Sequence, residues 1–373
     1  TYVTRVHFAD GVLEEALRSE IEVNKKKRPL IITDQPHLKN NIAERIFAGL
    51  PVRVSAEVFD NVAELPTEEA ARQVADVYHA TGRDLLIAFG ESAAIDLAKV
   101  SRVAIAHELP LSTFSLAQGG SRRIGDNLPD LYAIPNICGF GSAVSAYAPV
   151  VPSASERTRI MCRKLIPTVT ICDPTLTLGA APAVSASAGA DAIARCIEVY
   201  LSPGFNPPAD GIALDGLSRA VGNLYRVLDD REHVSARREM MAASLNGALA
   251  LQKGLGATHA IGNALETVMG KSLDAGSLSR LVLPGVLRFN ADAAKEKYQA
   301  LRHILGIRPR QSLADGVEAF LDDLPLPRRL SEMGVRAKQI SAAARLASSD
   351  LATVNSPRSV SSQDLLSIME AVK

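Results

Sequence analysis

Asp191 and Arg195 are the two residues whose types and spacing most directly suggest chemistry. They are four positions apart in a helix-like stretch, so their side chains lie on one helix face. The planar donors of an arginine suit a carboxylate or a polarised carbonyl oxygen. Two interpretations therefore stay open: a structural ion pair along the helix, or a fixed cation that contacts a substrate.

A second set of polar residues follows the strand-like segments of the first half. Asp34 ends RPLIITD, where an acid can accept hydrogen bonds from an adenosine ribose or can cap a turn or helix. Gly90 ends DLLIAFG and opens GESAAIDLAK, where a glycine lets backbone N–H groups approach a pyrophosphate. Glu91 places a negative charge close to that position. Asp96 and Lys99 are three apart, which also fits an ordinary surface ion pair.

The first half of the chain must position these residues through alternating strands and helices. Thr67 is a plausible N-cap for a helix over residues 66–82, and a second helix is predicted over 92–107. Strands are predicted over residues 28–34, 50–60, 84–90, 130–136 and 167–174. This alternation predicts right-handed βαβ units and a largely parallel sheet.

The second half carries helical periodicity and almost no strand-like sequence. Helices are predicted over residues 180–201, 207–229, 235–253, 256–270, 277–292, 294–305, 311–323, 337–348 and 362–372. We therefore predict an α/β nucleotide-binding-type domain over residues 1–175 and a helical domain over residues 176–373. The cleft between two such domains is the default position for an active site.

Composition excludes several classes of function. Lys plus Arg and Asp plus Glu each number 41, so the basic excess of a nucleic-acid or membrane-surface protein is missing. The first residues, TYVTRVHFADG, do not resemble a signal peptide, and no apolar stretch is long enough to span a membrane. The four cysteines form no CxxC pair, which is typical of reduced thiols. We expect a cytoplasmic protein with a small-molecule substrate, and a homo-oligomer, such as a dimer.

Several segments resemble one known family. They include LIPTVTICDPTLTL at 165–178, ASAGADAIARCIEVYLSPGFNPPADGIALDGL at 186–217 and QKGLGATHAIGNALE at 252–266. These resemble the iron-type (group III) alcohol dehydrogenases of the dehydroquinate-synthase-like superfamily, nearest the maleylacetate and hydroxybutyrate oxidoreductase branch. The resemblance runs almost end to end. It implies a parallel-sheet α/β domain followed by an all-α domain, the dehydroquinate synthase-like fold.

The resemblance also implies an NAD(H) site. Asp34 matches a position that favours NAD over NADP, and GESAAIDLAK stands where the family has GGGSxxDxxK. A second family loop, TTxGTGSE, matches residues 136–143, where Asn136 can replace a threonine donor. Lys164 matches a cofactor-side lysine, although a solvent-facing lysine fits equally. The candidate cofactor residues are Asp34, Gly90, Asp96, Lys99, Asn136, Gly139 and Lys164.

The family's metal site is altered in this sequence. The family holds a divalent metal, iron or zinc, with one Asp and three His, and the matching residues here are Asp191, Arg195, His259 and Ala275. Arginine cannot ligate a cation, and a tight catalytic site normally needs three protein ligands. Asp191 and His259 are therefore an incomplete ligand set, which Asp274 could extend only as a displaced oxygen ligand.

These observations predict an NAD(H)-linked oxidoreductase that acts on a small alcohol or carbonyl without a tightly bound metal. Arg195 would be the electrophile and His259 the acid or base, whereas a family proton-relay histidine is replaced by Asn263. A half-buried structural histidine is the alternative for His259. At the level of function, the alternatives are a catalytically silent relative that binds a metabolite or a partner, and a non-redox lyase or isomerase.

Overall fold

The structure is a computed structural model that describes residues 4–38, 41–137, 141–153 and 157–373. The chain divides into two compact units, Thr1–Leu178 and Gly179–Lys373, which we call the N-terminal and C-terminal units. Of the cysteines, Cys162, Cys172 and Cys196 carry free thiols, and Cys138 lies outside the described residues. Among the helices of the described chain, none is long and apolar enough to cross a membrane.

The N-terminal unit is built on a six-stranded sheet in the order β1-β8-β5-β4-β2-β3, in which every pair of neighbours is parallel. The strands are β1 (Arg5–Phe8), β2 (Pro29–Ile32), β3 (Glu57–Phe59), β4 (Leu85–Gly90), β5 (Leu131–Pro135) and β8 (Val169–Cys172). β2, β4, β5 and β8 are buried along their whole length. Helices cover both faces of a parallel sheet, so strands in its interior are buried on both sides. This burial explains why the sequences of these four strands are almost continuously apolar.

The helices of this unit are α1 (Leu13–Val23), α2 (Gln35–Leu38), α3 (Asn41–Gly49), α4 (Glu68–Ala80) and α5 (Ser92–Ala106). Thr67 caps α4 as predicted, since its side chain accepts a hydrogen bond from the N–H of Ala70 at 3.1 Å. α1 and α3 pack against the sheet through one apolar core that includes Leu17, Ile21 and Ile46. The predicted alternation of strands and helices is therefore confirmed.

Several parts of this unit differ from the sequence prediction, which gave no helix at α2 or α3. The strand predicted over residues 50–60 is restricted to Glu57–Phe59. β3 is an edge strand that pairs only with β2 over three residues, so the preceding apolar residues have no ladder to join. Sequence analysis also missed an antiparallel hairpin of β6 (Tyr147–Val150) and β7 (Thr158–Met161). Its strands are only four residues long, and β6 contains Pro149, a residue that weakens a strand prediction.

The C-terminal unit is helical. Its helices are α6 (Pro182–Leu201), α7 (Pro207–Asp229), α8 (Val234–Leu249), α9 (Ala257–Met269), α10 (Ala275–Asn290), α11 (Lys295–Ile304), α12 (Leu313–Asp322), α13 (Ala337–Ala347), α14 (Leu351–Val354) and α15 (Ser362–Glu370). α6 is buried along almost its entire length. α7, α8 and α10 pack around it, so polar residues on α6 must find their partners inside the protein.

Candidate functional site

Three charged residues of α6 converge with one histidine of α9. Asp191, Arg195 and Glu198 are all at least nine-tenths buried, and they project from one side of α6 at spacings of four and three residues. His259 lies in the first turn of α9, and 14% of its side chain is exposed. We call Asp191, Arg195, Glu198 and His259 the charged cluster.

Glu198 shapes the start of α9. The N-cap of α9 is Gly256, which has no side chain to cap the helix. The carboxylate of Glu198 takes that role from another helix, because it accepts hydrogen bonds from Gly256 N at 3.0 Å and Thr258 N at 2.6 Å. This places a buried negative charge at the helix N-terminus, where the backbone N–H groups and the helix dipole favour it.

His259 lies between two carboxylates. Its Nδ1 is 2.6 Å from Glu198 Oε2 and its Nε2 is 3.3 Å from Asp191 Oδ1. Burial disfavours the charged ring, but the charges of Glu198 and Asp191 outweigh burial and raise the pKa of His259 to about 9. The raised pKa favours the imidazolium form of His259, in which both ring nitrogens donate.

Asp191 contacts two cations. One carboxylate oxygen pairs with the guanidinium of Arg195, and the other lies near His259. Burial opposes ionisation, but the charge of Arg195 and the contact with His259 lower the pKa of Asp191 to about 2. His259 likewise lowers the pKa of Glu198 against the effect of burial. The charged cluster thus holds two anions and two cations, which explains how four charges are tolerated in the interior.

This donor set does not fit a divalent cation. Arg195 occupies one side of Asp191, and a guanidinium offers no lone pair to a metal. Ala275 has no ligand atom. Asp274 is engaged elsewhere, since its carboxylate caps α10 at Ser277 N at 2.8 Å and contacts the hydroxyl of Ser187. Within the described ranges, no group of three His, Cys, Asp or Glu residues is arranged to hold a metal ion.

Three of the candidate cofactor residues lie at the carboxyl edge of the sheet in the N-terminal unit. Asp34 follows β2, Gly90 ends β4 and Asn136 follows β5; β2, β4 and β5 are consecutive neighbours. Gly90 has a φ of 131°, a conformation that favours glycine, and its carbonyl accepts a hydrogen bond from Asn136 N at 3.4 Å. Glu91 is exposed, and its side chain makes no capping hydrogen bond to α5.

Asp96 and Lys99 do not form a surface ion pair, so that alternative from the sequence is wrong. Lys99 is fully buried, and its ammonium donates to Ser145 O at 3.0 Å, Ser145 Oγ at 3.1 Å and Tyr147 O at 3.1 Å. Asp96 is also buried and lies 3.9 Å from the ammonium. Burial lowers the pKa of Lys99 to about 8, although Asp96 opposes this shift. These contacts join α5 to the start of the β6–β7 hairpin.

The remaining predicted cofactor residues are Lys164 and Gly139. Lys164 is partly exposed and donates to Ile124 O at 2.6 Å, with Asp126 2.8 Å from its ammonium. Gly139 lies outside the described residues. The structure therefore brings Asp34, Gly90 and Asn136 to one sheet edge and does not place Lys164 in contact with them.

Glu198 is the charged-cluster residue that sequence analysis missed. It lies seven positions after Asp191 and three after Arg195, so it falls on the same face of an otherwise apolar helix. An acidic residue on a buried helix face needs a charged or hydrogen-bonding partner. The position of Glu198 in an apolar helix was therefore the signal that could have identified it. The helix pattern could not show that its partners are the backbone of α9 and His259.

Comparison with known proteins gives matches over nearly the whole chain. A family model described as "Iron-containing alcohol dehydrogenase" matches residues 3–174, and "Fe-containing alcohol dehydrogenase family, C-terminal" matches residues 185–372. The curated 4-hydroxybutyrate dehydrogenase of Cupriavidus necator is 38% identical over 341 residues, which cover 90% of this chain and 89% of the relative.

Solved structures share the fold at lower identity. A 1,3-propanediol oxidoreductase aligns with a TM-score of 0.92 and 22% identity, covering 100% of this chain and 99% of that chain. A sulfoacetaldehyde reductase from Bifidobacterium kashiwanohense, solved in complex with NAD+, aligns with a TM-score of 0.90 and 20% identity, covering 100% and 97%. These similarities confirm the predicted parallel α/β domain followed by an all-α domain.

Proposed function

We propose that this chain, an oxidoreductase that belongs to the iron-containing alcohol dehydrogenase family, interconverts a small primary alcohol and its aldehyde with NAD(H) and without a tightly bound metal. The single observation that carries the metal-free proposal is the contact of Asp191 with Arg195 and His259. The guanidinium takes one side of the only aspartate that matches the family's metal-ligand pattern. A fixed positive charge then stands where the family has a metal ligand.

Arg195 is the proposed electrophile. During reduction of an aldehyde, negative charge develops on the carbonyl oxygen, and a donor that is already in place stabilises it without reorganisation. Only 10% of the Arg195 side chain is exposed, so its charge is weakly screened by solvent. A guanidinium also keeps its proton through the reaction, because its pKa lies far above neutrality. It therefore stabilises the oxygen without supplying the proton.

His259 is the proposed proton donor in reduction and acceptor in oxidation. Its Nδ1 contact with Glu198 is short at 2.6 Å, whereas its Nε2 contact with Asp191 is long at 3.3 Å. A substrate oxygen can replace the weaker contact more easily. Loss of the Nε2 proton leaves a neutral ring whose Nδ1–H still donates to Glu198, so Glu198 fixes the tautomer.

The carboxyl edge of the N-terminal sheet supports the NAD(H) part of the proposal. Asp34 can accept hydrogen bonds from the adenosine ribose, and Gly90 lets the backbone at the start of α5 approach a pyrophosphate. When bound, the nicotinamide would supply or accept the hydride. We extend to this chain the NAD+ found in the sulfoacetaldehyde reductase complex. We also propose that it is cytoplasmic and forms a homo-oligomer, such as a dimer.

The proposed substrate class follows from the similarity to 4-hydroxybutyrate dehydrogenase, which makes 4-hydroxybutyrate the first alcohol to test. The purified protein is mixed with NAD+ and 4-hydroxybutyrate, and NADH is followed by its absorbance. We expect NADH to form, and we expect the chain to prefer NAD+ clearly over NADP+. The Asp34→Ala variant should show a smaller preference for NAD+. Propane-1,3-diol with NAD+, and lactaldehyde with NADH, serve as further substrates. Failure to transfer hydride with any small alcohol or aldehyde and either cofactor would remove the proposal.

A further inference from the structure

The N-terminal unit contains a groove of about 820 Å³. It lies between the end of α1 and the connection from α3 to β3. Its lining residues are Arg18, Ile21, Glu22, Lys25, Lys26, Lys27, Ala48, Leu50, Pro51, Val52, Arg53 and Val54. We call this set the basic groove. β2 begins at Pro29, directly after the lysines, so the basic groove lies at the amino ends of the strands.

The basic groove carries a local excess of positive charge in a chain whose total charge is balanced. Five of its lining residues are cationic, and Glu22 is the only acid among them. Lys26 is paired with Asp130 at 2.6 Å. Lys25, Lys27 and Arg53 are exposed, and no ion pair of theirs is seen in the described part of the chain. The guanidinium of Arg18 donates to Ala48 O at 2.8 Å. Lys25, Lys27 and Arg53 are therefore the three cations available to an anion.

The other lining residues form an apolar surface beside these charges. Ile21 is buried, while Leu50, Pro51 and Val54 are partly exposed. Val52 has a relative exposure of 103%, so its side chain is completely uncovered. Full exposure of a valine next to a set of cations suits a ligand that has both an apolar part and an anionic part.

Lys25 occupies a backbone position that favours glycine. Its φ is 54°, the only positive φ of a non-glycine residue among those the structure describes. Lys25 N donates to Glu22 O at 3.1 Å and Lys26 N donates to Ile21 O at 2.9 Å, which is the Schellman ending of α1. Glycine is the common residue at this position because it has no Cβ to clash. The backbone conformation at this position favours glycine, but the residue present is a lysine, which places a positive charge at the groove.

We propose that the basic groove binds a small phosphate ester with an apolar substituent. Lys25, Lys27 and Arg53 contact the phosphate, whose double negative charge matches several cations better than a carboxylate does. The apolar substituent packs on Leu50, Val52 and Val54. The groove is concave and carries no aromatic residue among its lining, which argues against a flat membrane surface and against stacked nucleic-acid bases.

Binding at the basic groove is independent of the proposed redox function. The candidate cofactor residues Asp34 and Gly90 follow or end their strands, whereas the basic groove precedes β2 and β3. A ligand at the amino ends of the strands therefore does not compete with a nucleotide at the carboxyl ends. Binding can be measured on the full chain without any assay of activity.

Hexyl phosphate is the probe, followed by titration calorimetry below its micelle concentration, with inorganic phosphate and hexan-1-ol as separate arms. We expect saturable binding of one hexyl phosphate per chain, at least about tenfold tighter than inorganic phosphate, and none of hexan-1-ol. A difference in affinity of about tenfold is expected because the hexyl chain contacts the apolar surface, whereas inorganic phosphate contacts only the cations. Equal affinity for inorganic phosphate, or no saturable binding of hexyl phosphate, would overturn the proposal.

Two variants test the assignment of residues. Lys25→Gly should weaken binding of hexyl phosphate about tenfold or more while the melting temperature stays equal or rises, because glycine fits the backbone. Arg53→Gln, in an exposed connection, should weaken it similarly. Arg122→Gln is the matched control, since Arg122 is an exposed arginine of the same unit outside the groove. Unchanged binding in both groove variants, or binding only to vesicles that contain phosphatidic acid, contradicts the proposal.

Discussion

Asp191 contacts both Arg195 and His259, an arrangement that differs from the one-Asp, three-His ligand pattern of the family. A carboxylate that ligates a metal must direct lone pairs to the ion, whereas here each oxygen faces a cationic side chain. Removal of one partner leaves the others charged and buried, which is costly for stability. A test of Arg195 must therefore separate its effect on the fold from its effect on the reaction.

Arg195→Gln tests the proposed electrophile. We expect kcat for the alcohol to fall about a hundredfold or more, because the donor to the developing oxyanion is weakened. The dissociation constant for NADH should stay within about twofold, since the residue lies in the C-terminal unit. Stopped-flow kinetics and an NADH fluorescence titration measure the two quantities.

The matched control is Arg219→Gln. Arg219 also pairs with an aspartate four positions before it, Asp215, at 2.7 Å, and it contacts Glu239 of α8, but its side chain is partly exposed. Its loss should change stability by less than about 1 kcal/mol and leave kcat near normal. A fall in melting temperature of Arg195→Gln with normal turnover would assign Arg195 to a structural ion pair alone.

Glu91→Gln tests the charge beside the proposed phosphate position. Glu91 is exposed, so solvent screens it, and the repulsion of a phosphate at 4 Å is about 1 kcal/mol. We expect the variant to bind NADH about fivefold more tightly, because a repulsion of about 1 kcal/mol corresponds to about a fivefold change in the dissociation constant. Glu64→Gln, at another exposed acid of the same unit, is the control. Weaker or unchanged affinity for NADH in Glu91→Gln counts against a phosphate at Gly90.

At the scale of elements, apolar periodicity predicted most of the structure. The buried strands β2, β4, β5 and β8 lie where the pattern placed them, to within a few residues. So do the helices of the C-terminal unit except the one-turn helix α14, which the pattern did not predict. The pattern failed at β3 and at the β6–β7 hairpin, because short edge and hairpin strands depend on partners that are distant in sequence. The same reason hid the contact of Glu198 with α9, which joins residues 58 to 61 positions apart.

Asp173 joins two elements and gives a prediction of pH dependence. This fully buried residue follows β8 and accepts hydrogen bonds from Gly11 N, Leu13 N, Thr175 and Arg45. Burial raises its pKa, but these donors outweigh burial and lower it. A lowered folded-state pKa gives stability above the unfolded value of about 3.9, which is lost as pH falls through the folded pKa.

Asp173→Asn should therefore be less stable than the unaltered chain by about 3 kcal/mol at pH 7, with a difference that shrinks as the pH falls below about 4. Thermal unfolding between pH 3 and pH 7 measures this. Asp76→Asn is the control, because Asp76 is exposed and its ion pair with Arg72 is 3.3 Å long. An equal difference at every pH would show that Asp173 is not ionised in the folded chain.

At the scale of the whole molecule, the fold and the family could be predicted from the sequence, because the features that identify them are distributed over hundreds of residues. The chain is an alcohol dehydrogenase-like oxidoreductase with an α/β unit and an all-α unit. The site depends on a few positions, and three of these, Arg195, Asn263 and Ala275, depart from the family pattern. Function follows such positions rather than the fold.

The central claim is that Arg195 replaces the metal, and turnover after exhaustive chelation tests it most directly. The protein is dialysed against a strong chelator, its iron and zinc are measured by elemental analysis, and NADH formation from 4-hydroxybutyrate is followed. We predict metal well below one equivalent per chain, with a rate that neither chelation nor added iron or zinc changes by more than about twofold. A rate that is lost on chelation and restored by one equivalent of metal would contradict the account.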